Sequence, residues 1–156
     1  MKISNNWLKQ YIDINLSAEK LEDRLTFAGI EVEAVEQVGK ELAQLKVAEI
    51  VQKEKHPNAE TLSICSVFDG KETLQVVCGA PNCAAGQKIA FAPIGTDFGD
   101  FKIKKTKLRG EVSFGMICSE QELGLSDNHD GIMVLDENAE AGIDMATYLG
   151  KNDTCF

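Results

Sequence analysis

The sequence predicts a mainly β protein: a small five-stranded Greek-key barrel carrying a short N-terminal α/β appendage. Three observations predict it. Short apolar runs rich in Val and Ile recur from Leu42 onward, separated by Gly, Pro, Asn and Asp, which is the punctuation of an all-β domain. No helical pattern of about 10–15 residues alternates with those runs, so a parallel βαβ sheet is disfavoured. The first forty residues differ from the rest, with two capped helical segments and one partly alternating segment, a unit too small to bury a core by itself.

Taken in order, Ser4 is placed to cap a short helix carrying Trp7, Leu8 and Tyr11. Ser17 caps a second, with Leu16 and Leu21 as a hydrophobic staple, Leu25 continuing the face and Gly29 at the left-handed stop. IEVEAVEQV follows with partial period-2 alternation, a strand signal. KVAEIVQKE reads as the next strand, HPNAE as a turn, TLSICSVF as a strand, Asp69-Gly70 as a hairpin turn, and ETLQVVC as its return. GAPNCAAG is a loop and QKIAFAPIG a further strand. MIC is a short strand, SEQE opens a capping box for a short helix that Gly124 ends, and IMVLDE is a last strand. Asp144 caps a final turn of helix, MATYL, that stops at Gly150. The expected organisation is residues 1–40 as appendage, 41–150 as barrel and 151–156 as a truncated linker, with the appendage lacking later residues that complete it.

A chain of 156 residues that is 44% hydrophobic and 26% charged can bury a core. No apolar run approaches the roughly 20 residues needed to cross a bilayer. The opening MKISNNWLKQYIDIN has charges and amides where a signal peptide has its apolar region, so a soluble, cytoplasmic protein with no membrane partner is expected. The five cysteines are odd in number and mostly sit in apolar runs, as buried free thiols in a reducing compartment do. His56 and His129 are the only histidines, and neither they nor Cys65, Cys78 and Cys83 show metal-ligand spacing. GAPNCAAG is not a GxGxxG loop. The expectation is therefore no catalytic residue, no metal and no cofactor within the chain, with a Cys–His enzyme as the distant alternative.

KIKKTKLRGEVSFGMIC, residues 102–118, stands apart. Lys102, Lys104, Lys105, Lys107 and Arg109 are five of the chain's 16 cations, yet the formal net charge is -9; removing those five leaves -14 on the remainder. Such a balance disfavours a non-specific nucleic-acid binder but permits a local basic patch that grips at short range. Exposed strand lysines can also serve solubility alone. Gly110 and Gly115 bracket Ser113, beside Phe114; cations, a small hydroxyl and an aromatic on a barrel are the groups an RNA-binding OB-fold uses. Strand alternation limits simultaneous phosphate contact to about three of the five.

HPNAETL, VVCGAPNCAAGQKIAFAPIG and FKIKKTKLRGEVSFGMICSEQELGLSDNHDGI together resemble the tRNA-binding OB-fold shared by several tRNA-associated proteins, over about residues 42–150. MKISNNWLKQYIDINLSAEKLEDRLTFAGIEVEAVE is similar to the start of the bacterial phenylalanyl-tRNA synthetase beta-chain family. The resemblance implies a fragment of a longer subunit, serving ATP- and magnesium-dependent ligation of phenylalanine to tRNA. Its implied partners are tRNA, the alpha chain and a second beta chain, in an assembly of two of each. No catalytic residue carries over. The five cations are the implied phosphate contacts, with Ser113 and Asn58 as candidate hydrogen-bonding groups for sugar or backbone. Glu60-Thr61 stands where relatives often have Asp-Lys, and Phe114 where they often have Glu. An assembly role in the synthetase, or a free-standing dimeric tRNA-binding protein, are the competing expectations.

Overall fold

A computed structural model describes residues 1–156. Nine strands occur in chain order: β1 (Glu36–Val38), β2 (Lys46–Lys55), β3 (Ser63–Phe68), β4 (Thr73–Cys78), β5 (Lys88–Pro93), β6 (Thr106–Leu108), β7 (Glu111–Ser113), β8 (Gly115–Ile117) and β9 (Asp153–Cys155). The helices are α1 (Asn5–Leu8), α2 (Ala18–Phe27) and α3 (Met145–Tyr148), with a 3-10 turn at Leu42–Gln44. Two compact units result, Met1–Lys40 with Gly150–Phe156, and Glu41–Leu149.

In the first unit both expected caps form. The Ser4 hydroxyl accepts the Trp7 N–H at 3.0 Å and Ser17 that of Lys20 at 3.4 Å, answering N–H groups that the first helical turn leaves without partners. Leu21 is buried and Gly29 adopts φ +87. The strand read over IEVEAVEQV shrinks to Glu36–Val38, because only that portion finds a partner. The partner corrects a second expectation. Residues 151–156 are not a linker: Asp153–Cys155 pairs antiparallel with Glu36–Val38, and the Ile3 and Phe156 backbones exchange bonds of 2.9 Å.

Asp153 ties this unit together. Its carboxylate accepts the Ser4 hydroxyl and the N–H groups of Asn6 (2.9 Å) and Thr154 (2.8 Å). Burial alone would raise its pKa, but these hydrogen bonds outweigh that and hold the carboxyl below its ordinary value. The folded state favours the ionised form, so this stability is present above the unfolded carboxyl's pKa of about 3.9 and is lost as pH falls through the lower folded value. We expect Asp153→Asn to lower this unit's stability at pH 7 and to flatten its acid limb. Trp7, the only tryptophan, reports urea unfolding here; a wild-type acid limb in the variant would refute the assignment.

The second unit is the barrel. β2, β3 and β4 form a meander, β5 then returns to pair with β2, and β8 pairs with β5, giving the order β4-β3-β2-β5-β8. The turn from β3 to β4 is the one expected: Asp69 accepts the N–H groups of Lys71 and Glu72 at 2.9 Å, with Gly70 at φ +93. A bulge at Ile50/Gln52 bends β2, whose first half pairs with β5 and whose second half with β3. The barrel nearly closes along β4, where the Phe114 N–H donates to the Gln75 carbonyl at 2.9 Å.

Alternation sorts β2 and β5 between two cores. Ala48, Ile50, Ile89 and Phe91 face the barrel interior with Cys65, Val67, Val76 and Ile117. Val47, Ala90 and Ala92 face a layer formed by Leu42, Leu45, Met145, Ala146 and the 118–139 segment. Burial on both faces is why QKIAFAP reads as one apolar run. Asp144 caps α3 as expected, accepting the Thr147 N–H at 2.9 Å.

Two expected elements do not form. At SEQE the Glu122 carboxylate takes the Ser119 N–H (2.7 Å) and hydroxyl, but the chain stays a turn ending at Gly124, φ +67. IMVLDE makes no ladder. Its N–H groups are claimed by scattered acceptors, Asn82 Oδ1 for Ile132, the Cys118 carbonyl for Met133 and the Lys88 carbonyl for Leu135, leaving one bridge, Ile89 to Val134.

Candidate nucleic-acid interface

The basic segment folds into a projecting hairpin. β6 and β7 pair with Leu108 opposite Glu111, leaving Arg109-Gly110 as a two-residue turn. Their φ values of +51 and +95 are those of a type I′ turn, the geometry that matches strand twist. Arg109 is the only non-glycine residue with positive φ, a conformation that costs an L-residue about 1–2 kcal/mol.

Two residues of the HPNA turn hold that geometry. His56 is buried at 3% exposure. Its Nδ1 accepts the Asn58 backbone N–H at 3.0 Å, which leaves Nε2 to carry the ring proton and donate to the Leu108 carbonyl, 3.0 Å away. The Asn58 side-chain amide donates to the Arg109 carbonyl at 3.1 Å. His56 lacks metal-ligand spacing and carries no role in the sequence; the signal for it is a histidine that ends a strand at the turn meeting the basic hairpin.

All five cations are exposed. Neither ion pair of the chain, Lys2–Glu36 or Lys88–Glu49, involves them. The ladder sets Lys107 beside Val112, and the Lys105 ammonium lies 5.1 Å from the centre of the Phe114 ring, within cation–π range. The hairpin therefore presents uncompensated positive charge from a fixed backbone, which suits phosphate.

Ser113, expected to bond RNA sugar or backbone, faces inward instead. It is 4% exposed, and its hydroxyl accepts the Val77 N–H (3.1 Å) and donates to the Gly115 carbonyl (2.9 Å). It stitches β7 to β4, and its burial keeps it away from RNA. The Asn58 amide nitrogen is committed to Arg109, so that group positions the turn.

All five cysteines are free and four are buried. A hydrogen bond donated to Cys83, with burial, pushes the Cys78 thiol far above its ordinary range, and burial followed by the nearby Glu122 does so for Cys118. Cys65 and Cys83 lie 3.3 Å apart, with the Cys83 thiol pushed up to about 11, chiefly by its bond to Cys65. No three His, Cys, Asp or Glu side chains converge to hold a metal ion.

The profile of the family described as "Putative tRNA binding domain" matches residues 45–144. The chain belongs to this tRNA-binding domain family. Over its whole length the chain is also 49% identical across 157 residues to the phenylalanine–tRNA ligase beta subunit of Geobacter sulfurreducens. It is 50% identical across 154 residues, 98% of its length, to that of Hahella chejuensis. It spans about 20% of the length of both relatives. Among solved structures, a MetRS-related protein from Pyrococcus horikoshii superposes with a TM-score of 0.50 at 22% identity, covering 65% of this chain and 87% of its own. That likeness supports the OB-like barrel as the family's fold. The match at 45–144 encloses the HPNA turn and the whole basic hairpin, while the ligase relatives extend the similarity through the first forty residues.

Proposed function

We propose that this chain is a non-catalytic tRNA-binding module of a phenylalanine–tRNA ligase beta subunit. The observation that carries the reading is the tied, uncompensated basic hairpin inside a matched tRNA-binding domain. Lys104, Lys107 and Arg109 meet RNA phosphates, with Lys102 and Lys105 extending the track. The complete ligase is a cytoplasmic assembly of two alpha and two beta chains, joining phenylalanine to tRNA with ATP and magnesium. The residues present fit neither ATP nor magnesium: no carboxylate cluster converges, and the GAPNCAAG loop is closed on itself by the Gln87 side chain, which bonds Ala84 N–H and Asn82 C=O at 2.8 and 2.9 Å.

Three neutralised phosphates predict that log affinity falls with log salt at a slope of about -2, at roughly -0.7 per contact on single-stranded RNA. Mobility shifts of tRNA across a salt series should show that slope for the wild type. The Lys104→Ala, Lys107→Ala, Arg109→Ala triple variant should bind weakly, with a much shallower slope set by what Lys102 and Lys105 still contact. Unchanged binding in the triple variant would sink the assignment. The acidic remainder, -14 once the five cations are set apart from a net charge of -9, favours one second reading, an architectural domain of the synthetase. That reading requires the chain to show no tRNA affinity even at low salt.

A further inference from the structure

The basic segment begins at a rigid aromatic tip that the phosphate-binding reading leaves unused. Between Gly95 and Ile103 the chain folds back on itself. The Ile103 N–H donates to the Thr96 carbonyl at 2.8 Å, the Gly95 N–H to the Ile103 carbonyl at 2.8 Å, and the Phe98 N–H to the Phe101 carbonyl at 2.9 Å. Asp97 bridges to Lys102 as a strand pair. From the barrel, the Gln44 amide clamps the same tip. It donates to the Asp97 carbonyl at 3.2 Å and accepts the Asp97 N–H at 3.0 Å. Gly99, at φ +89, makes the reversal, its N–H bonded to the Asp97 carboxylate at 2.8 Å.

This scaffold holds two stacked rings. Phe98 packs on the outer core layer, and Phe101 lies on it with centroids 4.9 Å apart and planes 25° apart. Phe101 nonetheless leaves 48% of its surface in water. A single exposed apolar residue needs no explanation; a ring covered by another ring, anchored by a backbone reversal and joined directly to Lys102, is a different object. Its ordering cost is met in the free protein, and the next residue outward carries a phosphate-seeking charge. Asp97 is already bonded to Gly99, and Asp100 beside it discourages phosphate at the tip itself, so the ligand that suits the open ring is flat and neutral.

We propose that Phe101 is a stacking platform for one unpaired base of bound RNA, with Phe98 behind it and Lys102 holding the adjoining phosphate. The proposal rests on the tRNA-binding reading. Stacking, unlike phosphate contact, releases few counterions, so it adds affinity without steepening the salt dependence.

The test uses the chain as it stands. Phe101→Leu keeps apolar packing against Phe98 and removes the π-face. It should weaken binding of tRNA and of a single-stranded oligouridylate by about 5- to 150-fold, leave the salt slope at its wild-type value, and leave binding of a blunt RNA duplex unchanged. Phe101→Trp in a Trp7→Phe background keeps the stack and makes residue 101 the sole tryptophan; its fluorescence should be quenched by oligouridylate and not by the duplex. Wild-type affinity in Phe101→Leu, alongside weakened binding in the Lys104, Lys107 and Arg109 triple variant, overturns the platform and leaves the tRNA reading standing. Wild-type affinity in both overturns the two together. An unquenched tryptophan at saturating oligouridylate overturns the platform even if Phe101→Leu proves unstable.

Discussion

Replacing Gly115 with alanine should lower the stability of the barrel by about 4 kcal/mol and its melting temperature by about 15 °C. Gly115 opens β8 at φ +154, a backbone conformation outside the range of ordinary L-residues. Space is as restrictive as torsion. A methyl group there would stand 2.4 and 2.5 Å from ring carbons of Phe91 and 2.7 Å from the Ala92 carbonyl oxygen. Phe91 is fully buried in the barrel interior and cannot swing aside, and Ala92 is backbone in the adjacent strand, paired in register with Met116. Relief therefore requires β5 and β8 to part. Gly115 is also the carbonyl to which Ser113 donates, so the seam that carries the hairpin loosens with it, and tRNA affinity should fall in parallel. Thermal unfolding followed by circular dichroism checks this; a melting temperature within about 2 °C of wild type would refute the packing account.

What could be read from the sequence follows from which interactions are local. β2, β3, β4 and β5 were legible because each combines an apolar run with a nearby turn: Asp69-Gly70 closes β3 onto β4, and HPNAE joins β2 to β3. The caps at Ser4, Ser17 and Asp144 were legible because a cap and its helix are adjacent. Non-local features were not. β9 exists because Asp153–Cys155 meets Glu36–Val38, a pairing across more than a hundred residues that no local pattern announces. IMVLDE has the composition of a strand, but its N–H groups go to four separate parts of the barrel. Within the site, exposure of the five cations follows from their charge, whereas the burial of Ser113 does not, since alternation fixes a face only once the neighbouring strand is known. His56 was missed for the same reason: its value lies in a hairpin fifty residues away.

His56→Ala should cost the barrel about 3 kcal/mol, because it strips partners from the Asn58 N–H and the Leu108 carbonyl, at about 1–3 kcal/mol for each group left unsatisfied. The larger consequence is for Arg109. Its positive φ is held by the two carbonyls that flank the Arg109 Cα, Leu108 C=O accepting from His56 and Arg109 C=O accepting from Asn58. Once released, the turn relaxes and the guanidinium leaves its place. tRNA affinity in His56→Ala and in Asn58→Ala should each fall about tenfold, close to the loss in Arg109→Ala itself. A double-mutant cycle separates this from independent RNA contacts. If His56 and Asn58 act by positioning Arg109, adding either substitution to Arg109→Ala costs no further affinity. Additive losses would instead place them on the RNA, or in a general destabilisation that melting curves would match. His56→Gln keeps a donor near the Nε2 position and should recover part of the binding, whereas a hydrogen-bond-free side chain of similar volume, His56→Leu, should recover none.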